Sequence, residues 1–107
     1  MTLKFKTLAL VSALAGSLLL TACGQKEADS NKIKVGVISG AEEQVAEVAK
    51  KVAKQQYGLD VELVSFSDYI TPNAALADGS LDVNAFQHKP YLDQQIADRG
   101  YKLAVVG

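Results

Sequence analysis

This chain of 107 residues predicts an α/β fold with a largely parallel sheet, on three observations. From Lys32 onward the apolar pattern switches repeatedly between period two and period 3.6. The period-two runs are rich in valine, isoleucine and phenylalanine, and glycines fall where the period changes. The order that results is strand, helix, strand, helix, strand, helix, strand, and alternation of this kind belongs to parallel sheets with helical crossovers.

Ile33-Lys34-Val35-Gly36-Val37-Ile38 is the first expected strand, and Ser39, three residues before Glu42, has the spacing of a capping box that starts the first helix. Val45, Val48, Ala49, Val52 and Ala53 recur at helical spacing as an apolar stripe, while Glu43, Glu47, Lys50, Lys51 and Lys54 are expected to face water. Acidic residues early and basic residues late also suit the helix dipole. Gly58 ends the helix, and residues 61–66 form the second strand. Thr71-Pro72 is read as the cap and first position of a short helix running to Ala77 and stopped by Gly79. Val83, Ala85 and their neighbours make a short third strand. A helix from Pro90 to about Arg99 buries Leu92 and Ile96 and is closed by Gly100, and residues 102–106 begin a fourth strand. An apolar strand is an odd terminus for a parallel sheet, whose faces and edges need cover, so the chain is expected to be a fragment of a longer protein.

The N-terminus has the pattern of an export signal: Lys4 and Lys6 precede an uncharged apolar run over residues 8–20, too short to span a bilayer comfortably. Leu20-Thr21-Ala22-Cys23 resembles the bacterial lipobox, so Cys23 is expected to be lipidated and to become the new N-terminus. Each buried methylene contributes about 0.8 kcal/mol, and several acyl chains together make a permanent tether. Residues 1–22 are thus a lipoprotein signal, 23–31 a polar flexible leash, and 32–107 one α/β lobe. Using Cys23 for the anchor leaves no cysteine for a disulfide. Removal of the first 22 of 107 residues leaves 85 and takes away two lysines. The remaining nine Lys and Arg stand against twelve Asp and Glu, a net of −3, which argues against nucleic acid as a partner.

Asn84-Ala85-Phe86-Gln87-His88-Lys89-Pro90-Tyr91-Leu92-Asp93 crowds two aromatics and the only histidine onto one strand-to-helix connection. Pro90 is favoured at the first turn of a helix, so Phe86 to Pro90 must cap the carboxyl end of the third strand. In open parallel sheets ligands bind in the crevice outside those ends, which marks this connection as a recognition element.

The whole chain resembles the N-terminal part of the methionine-binding lipoproteins, the NlpA family of ABC-importer substrate-binding proteins. Lys34-Val35-Gly36-Val37-Ile38, Glu43-Gln44-Val45-Ala46, Tyr57-Gly58-Leu59-Asp60-Val61-Glu62-Leu63-Val64 and the segment 84–93 sit in the family's order, and the last is the most specific. The resemblance implies a periplasmic-binding-protein-like (type II) architecture of two lobes enclosing an amino acid, of which this chain holds the N-terminal lobe and lacks the second. It assigns Phe66, Tyr69, Phe86, His88 and Tyr91 to the first lobe's side of the pocket, with methionine, L or D, or a related small amino acid or methionine dipeptide as ligand. It further implies partnership with the membrane subunits of an ABC importer, attachment to a membrane of the bacterial cell envelope through the lipid, no cofactor, no metal and no catalysis. Aromatic rings suit a thioether, because sulfur at a ring edge contributes about 0.3–1.5 kcal/mol.

Other readings of the same residues stand beside this one. Phe66 and Phe86 also suit ordinary core positions, Tyr69 a loop cap, and His88 a structural hydrogen-bonding role. A hydrolase would use His88 as base beside Asp68, Asp93, Ser65 or Ser67, but no nucleophile-elbow, phosphate-loop or metal-ligand motif accompanies them. A surface lipoprotein that keeps the lobe for partner contact or adhesion is the third reading.

Overall fold

A computed structural model describes residues 30–107; the signal, Cys23 and most of the leash fall outside them. Six elements follow in order: β1 Lys32–Ile38, α1 Ala41–Tyr57, β2 Asp60–Phe66, α2 Thr71–Ala77, β3 Val83–Asn84 and α3 Lys89–Arg99. The strands form one parallel sheet in the order β2-β1-β3. β1 is central because it is paired over its whole length with β2, from Lys32 opposite Asp60 to Ile38 opposite Phe66, and on its other side with Val83 and Asn84. Bonds from Asp82 N–H to the Lys34 carbonyl (3.0 Å) and from Ala85 N–H to the Gly36 carbonyl (2.9 Å) carry the β3 pairing one residue beyond each end of the strand.

Partners in a parallel ladder share a face, and successive residues alternate. Val35, Val37, Val61 and Leu63 therefore look toward α1, where they line a groove of about 470 Å³ with Val45, Ala46, Ala49 and Ala53. Gly36, Val64, Phe66 and Asn84 look the other way, toward α2. A helix on either face is what a short parallel sheet needs to hide both sides. Among the described residues the buried set is small: Gly36, Val37, Leu81, Leu92, Pro72 and Asn73.

Four expectations are corrected. The Ser39 capping box is absent: the residue before α1 is Gly40, at φ 108°, a conformation glycine adopts without steric cost, and no side chain caps the helix. Ser39 instead prolongs the β1–β2 ladder through its N–H to the Phe66 carbonyl (2.9 Å), so the box spacing is out of step with the helix start. The α1 stripe is rotated: Val45, Val48 and Val52 are 71%, 62% and 39% exposed, and the helix buries no residue fully. Its half-buried positions are Glu43, Ala46, Lys50 and Ala53. Glu43 accepts the Ser65 hydroxyl, and the Lys50 stem lies along the apolar groove, so two charged side chains take inward positions that periodicity gave to valines. Thr71 does not cap α2; Asp68 does. Residues 102–106 form no strand, because a wide cleft separates them from β3 and leaves them without a ladder partner. The remaining boundaries agree with expectation, with Gly58 and Gly100 closing α1 and α3 in the left-handed conformation.

Candidate functional site

β2 and β3 run in the same direction, so the loops that leave them, 67–70 and 85–88, emerge at one end of the sheet. The first loop is fixed by Asp68. Its carboxylate accepts the backbone N–H of Ile70 (2.8 Å) and of Thr71 (2.7 Å), together with the Thr71 hydroxyl at 2.7 and 2.9 Å. These satisfy donors at the start of α2 that the helix cannot pair internally. The Thr71 N–H foremost, then its hydroxyl and the Ile70 N–H, hold the Asp68 carboxyl below its ordinary range.

The loop presents Tyr69 to the second loop and to α3. Its ring stacks on Phe86 with centroids 6.0 Å apart and planes at 30°, and Phe86 meets Tyr91 edge-on at 6.3 Å and 74°. Both geometries are favoured by the ring quadrupoles. The Tyr91 hydroxyl donates to the Tyr69 carbonyl at 2.6 Å, so a single bond ties α3 back to the loop before α2. Three rings from three separate segments thus form one cluster, in which Tyr69 remains 56% exposed and presents apolar surface to solvent.

His88 stands immediately before α3 in an extended conformation (φ −83°, ψ 154°), and its carbonyl accepts the N–H groups of Tyr91 and Leu92. Its side chain makes no cap bond, is exposed, and lines a cleft of about 970 Å³ together with Phe86, Glu42, Leu92 and residues 102–107. Phe86 belongs both to this cleft and to the ring cluster. Phe66 is half-buried at the end of β2, with its ring against the backbone of Gly36. The structure therefore brings Tyr69, Phe86 and Tyr91 into contact and lines the cleft with His88 and Phe86, while Phe66 packs over Gly36 on the sheet and is not part of the ring cluster. Three of the four side chains that a hydrolase could set beside His88 are otherwise engaged: Asp68 caps α2, Asp93 pairs with Lys89 at 2.6 Å, and Ser65 donates to Glu43.

Sequence reasoning passed over a polar cluster behind the rings. Asn73 is fully buried, and it exchanges two hydrogen bonds with Gln87: Nδ2 donates to Gln87 Oε1 at 2.7 Å, and Gln87 Nε2 returns a bond to Oδ1 at 2.7 Å. Asn84 Nδ2 donates to the same Oδ1 (3.0 Å) and to the Pro72 carbonyl (3.2 Å). One local signal pointed there. Asparagine is a poor helix former, and inside a seven-residue helix it implies a side-chain bond that offsets its propensity.

A family model for NlpA lipoprotein matches residues 33–107. This chain belongs to the NlpA lipoprotein family. Over its whole length it is 71% identical to the D-methionine-binding lipoprotein MetQ of Salmonella typhimurium (strain LT2), and it spans 40% of that protein. Among solved structures, the methionine-binding protein MetQ superposes with a TM-score of 0.71 at 74% identity, over 72% of this chain and 31% of the other. A nutrient-binding protein from Burkholderia cenocepacia, crystallised bound to methionine, superposes with a TM-score of 0.65 at 54% identity, over 65% of this chain and 29% of its own. The parallel sheet with flanking helices is accordingly the N-terminal NlpA lobe that the motifs led one to expect, and these relatives are binding proteins by name.

Proposed function

We propose that this chain forms the N-terminal, lipid-anchored wall of a methionine-binding cleft in the substrate-binding component of an ABC importer. The observation that carries the reading is the Tyr69–Phe86–Tyr91 ring cluster at the carboxyl ends of the parallel strands, in a chain so similar to D-methionine-binding lipoproteins. Phe66, Tyr69, Phe86, His88 and Tyr91 form the first-lobe side of the cleft. The rings offer edges and faces to a thioether, and burial of a methionine side chain contributes about 1.5–3 kcal/mol. The exposed His88 imidazole supplies a hydrogen bond to the polar end of the ligand. No covalent step is involved. Residues 1–22 direct export, Cys23 carries the acyl chains, and residues 23–31 let the lobe reach the importer's membrane subunits.

Residues 1–107, which span 40% of the D-methionine-binding relative, supply the first-lobe wall. A ligand on a single wall keeps much of its surface in water and its ammonium and carboxylate without partners, and each 1.4 kcal/mol so lost is tenfold in affinity. Titration calorimetry with L- and D-methionine is expected to give millimolar or weaker binding by this chain alone. Fusing the remaining sequence of a MetQ relative after Gly107 should restore tight binding, and Phe86→Ala or Tyr91→Ala in the fusion should weaken it at least tenfold. Sub-micromolar binding by the short chain, or indifference of the fusion to both substitutions, would overturn the assignment.

A further inference from the structure

We propose that Asn73 is the positioning residue of the cleft: through its paired amide bonds to Gln87 it sets the strand-exit loop 85–88 and so holds Phe86 against Tyr69. The loop has three anchors. Ala85 is held by its ladder bond to Gly36 (2.9 Å), and the His88 carbonyl is held by the first N–H groups of α3. Between them stands Gln87, flanked by Phe86 and His88, and its side-chain amide bonds to Asn73 and to Asn84 Oδ1 (3.3 Å). Asn73 is the α2 member of this network, and α2 is the helix that Asp68 caps directly after Tyr69. The amide pair therefore clamps the segment bearing Tyr69 to the segment bearing Phe86, the two rings that stand 6.0 Å apart.

The bonding pattern needs an amide. Asn73 both donates and accepts toward Gln87, and its oxygen accepts a second bond from Asn84, all at a site closed to water. A buried amide left without partners is costly, so the network has one satisfied arrangement and the loop one conformation. A carboxylate at 73 keeps both accepted bonds but turns an oxygen lone pair toward Gln87 Oε1. A protonated carboxyl restores the missing donor. An apolar side chain of the same size provides neither. The pattern thus predicts a proton-dependent rescue that a space-filling role for residue 73 does not.

The role as cleft positioner rests on the methionine reading above, but the test is made without ligand, so its outcome is independent of whether methionine binds. Melting temperatures of the full chain, wild type, Asn73→Asp and Asn73→Leu, are compared at about pH 7 and about pH 4. Burial raises the folded-state pKa of an aspartate at 73 above its unfolded value of about 3.9, so its folded form is favoured while neutral and loses stability as pH rises toward the raised value. The deficit of Asn73→Asp relative to wild type should shrink at least twofold on acidification, while that of Asn73→Leu stays unchanged. Proton NMR supplies the positional readout. The Tyr69–Phe86 ring cross-peaks should vanish in Asn73→Leu while β1–β2 cross-peaks persist, and should return in Asn73→Asp at low pH. If Asn73→Leu fails to fold, Asn73→Asp alone decides through its two pH values. An equal deficit of Asn73→Asp at both pH values, or ring cross-peaks that survive in a folded Asn73→Leu, would overturn the proposal.

Discussion

Gly36→Ala puts the packing beneath the site to a direct test. Gly36 lies in the middle of the central strand, between Val64 on β2 and Asn84 on β3, and a methyl group there would stand 2.6 Å from Leu81 Cδ1, 3.1 Å from Phe66 Cε2 and 3.4 Å from Asn84 Cβ. The first distance lies inside van der Waals contact. Leu81 is only 5% exposed and has little room to swing aside, and the Phe66 ring closes a second direction. Overpacking of this kind typically costs about 1–3 kcal/mol. For a lobe of this size each kcal/mol lowers the melting temperature by about 4–8 °C, so a fall of roughly 5–20 °C is expected. Urea titration followed by circular dichroism should show an earlier midpoint with an unchanged slope. Leu81→Ala alone should cost about 2–5 kcal/mol by leaving a cavity. In the double variant the new methyl group enters the space that Leu81 vacates, so the combined loss should fall short of the sum by about 0.5–3 kcal/mol. A Gly36→Ala variant as stable as wild type, or strict additivity in the double variant, would refute this account of the packing.

Val37→Asp, which buries an unpaired charge at a position 1% exposed, should abolish cooperative melting, whereas Val48→Asp on the open face of α1 should shift the midpoint by less than about 0.5 kcal/mol; the reverse order would contradict the rotated helix face. Asp68→Ala should lower the melting temperature near neutral pH. Because the Asp68 pKa is depressed below its ordinary 3.8, the wild type's advantage should be complete above that value and disappear as pH falls through the folded-state value; parallel pH profiles for the two proteins would argue against the cap. In cells, Cys23→Ser should prevent incorporation of labelled fatty acid and leave the signal uncleaved, and equal labelling of both proteins would exclude Cys23 as the anchor.

The α/β class, the positions of β1, β2, α1 and α3, and the glycines that close the two long helices were all legible along the chain. They depend on near neighbours: period, β-branching, and a left-handed residue after the last turn. The strand-to-helix connection within 84–93 was legible for a related reason, since Pro90 in the first turn of α3 sets the start of that helix a few residues after β3. What failed were statements about how elements meet. Periodicity gave the inward face of α1 to its valines, but helix orientation on a sheet is settled by all the contacts together, and in the folded lobe Glu43, which accepts the Ser65 hydroxyl, stands on the inward face instead. Ser39 satisfied the spacing of a cap, yet its N–H had a better partner in the Phe66 carbonyl, 27 positions further along the chain. Residues 102–106 have strand composition, but a strand exists only where another offers its edge, and a cleft lies in between. The Asn73–Asn84–Gln87 cluster joins residues 11 and 14 positions apart, so no local rule describes it. The sequence by itself determined the elements and the end of the sheet at which the connection 85–88 emerges, because those follow from short-range sterics and hydrogen bonding. Tertiary structure alone decided which faces are buried, which rings touch and which polar groups satisfy one another, because these depend on groups brought together only by the folded chain.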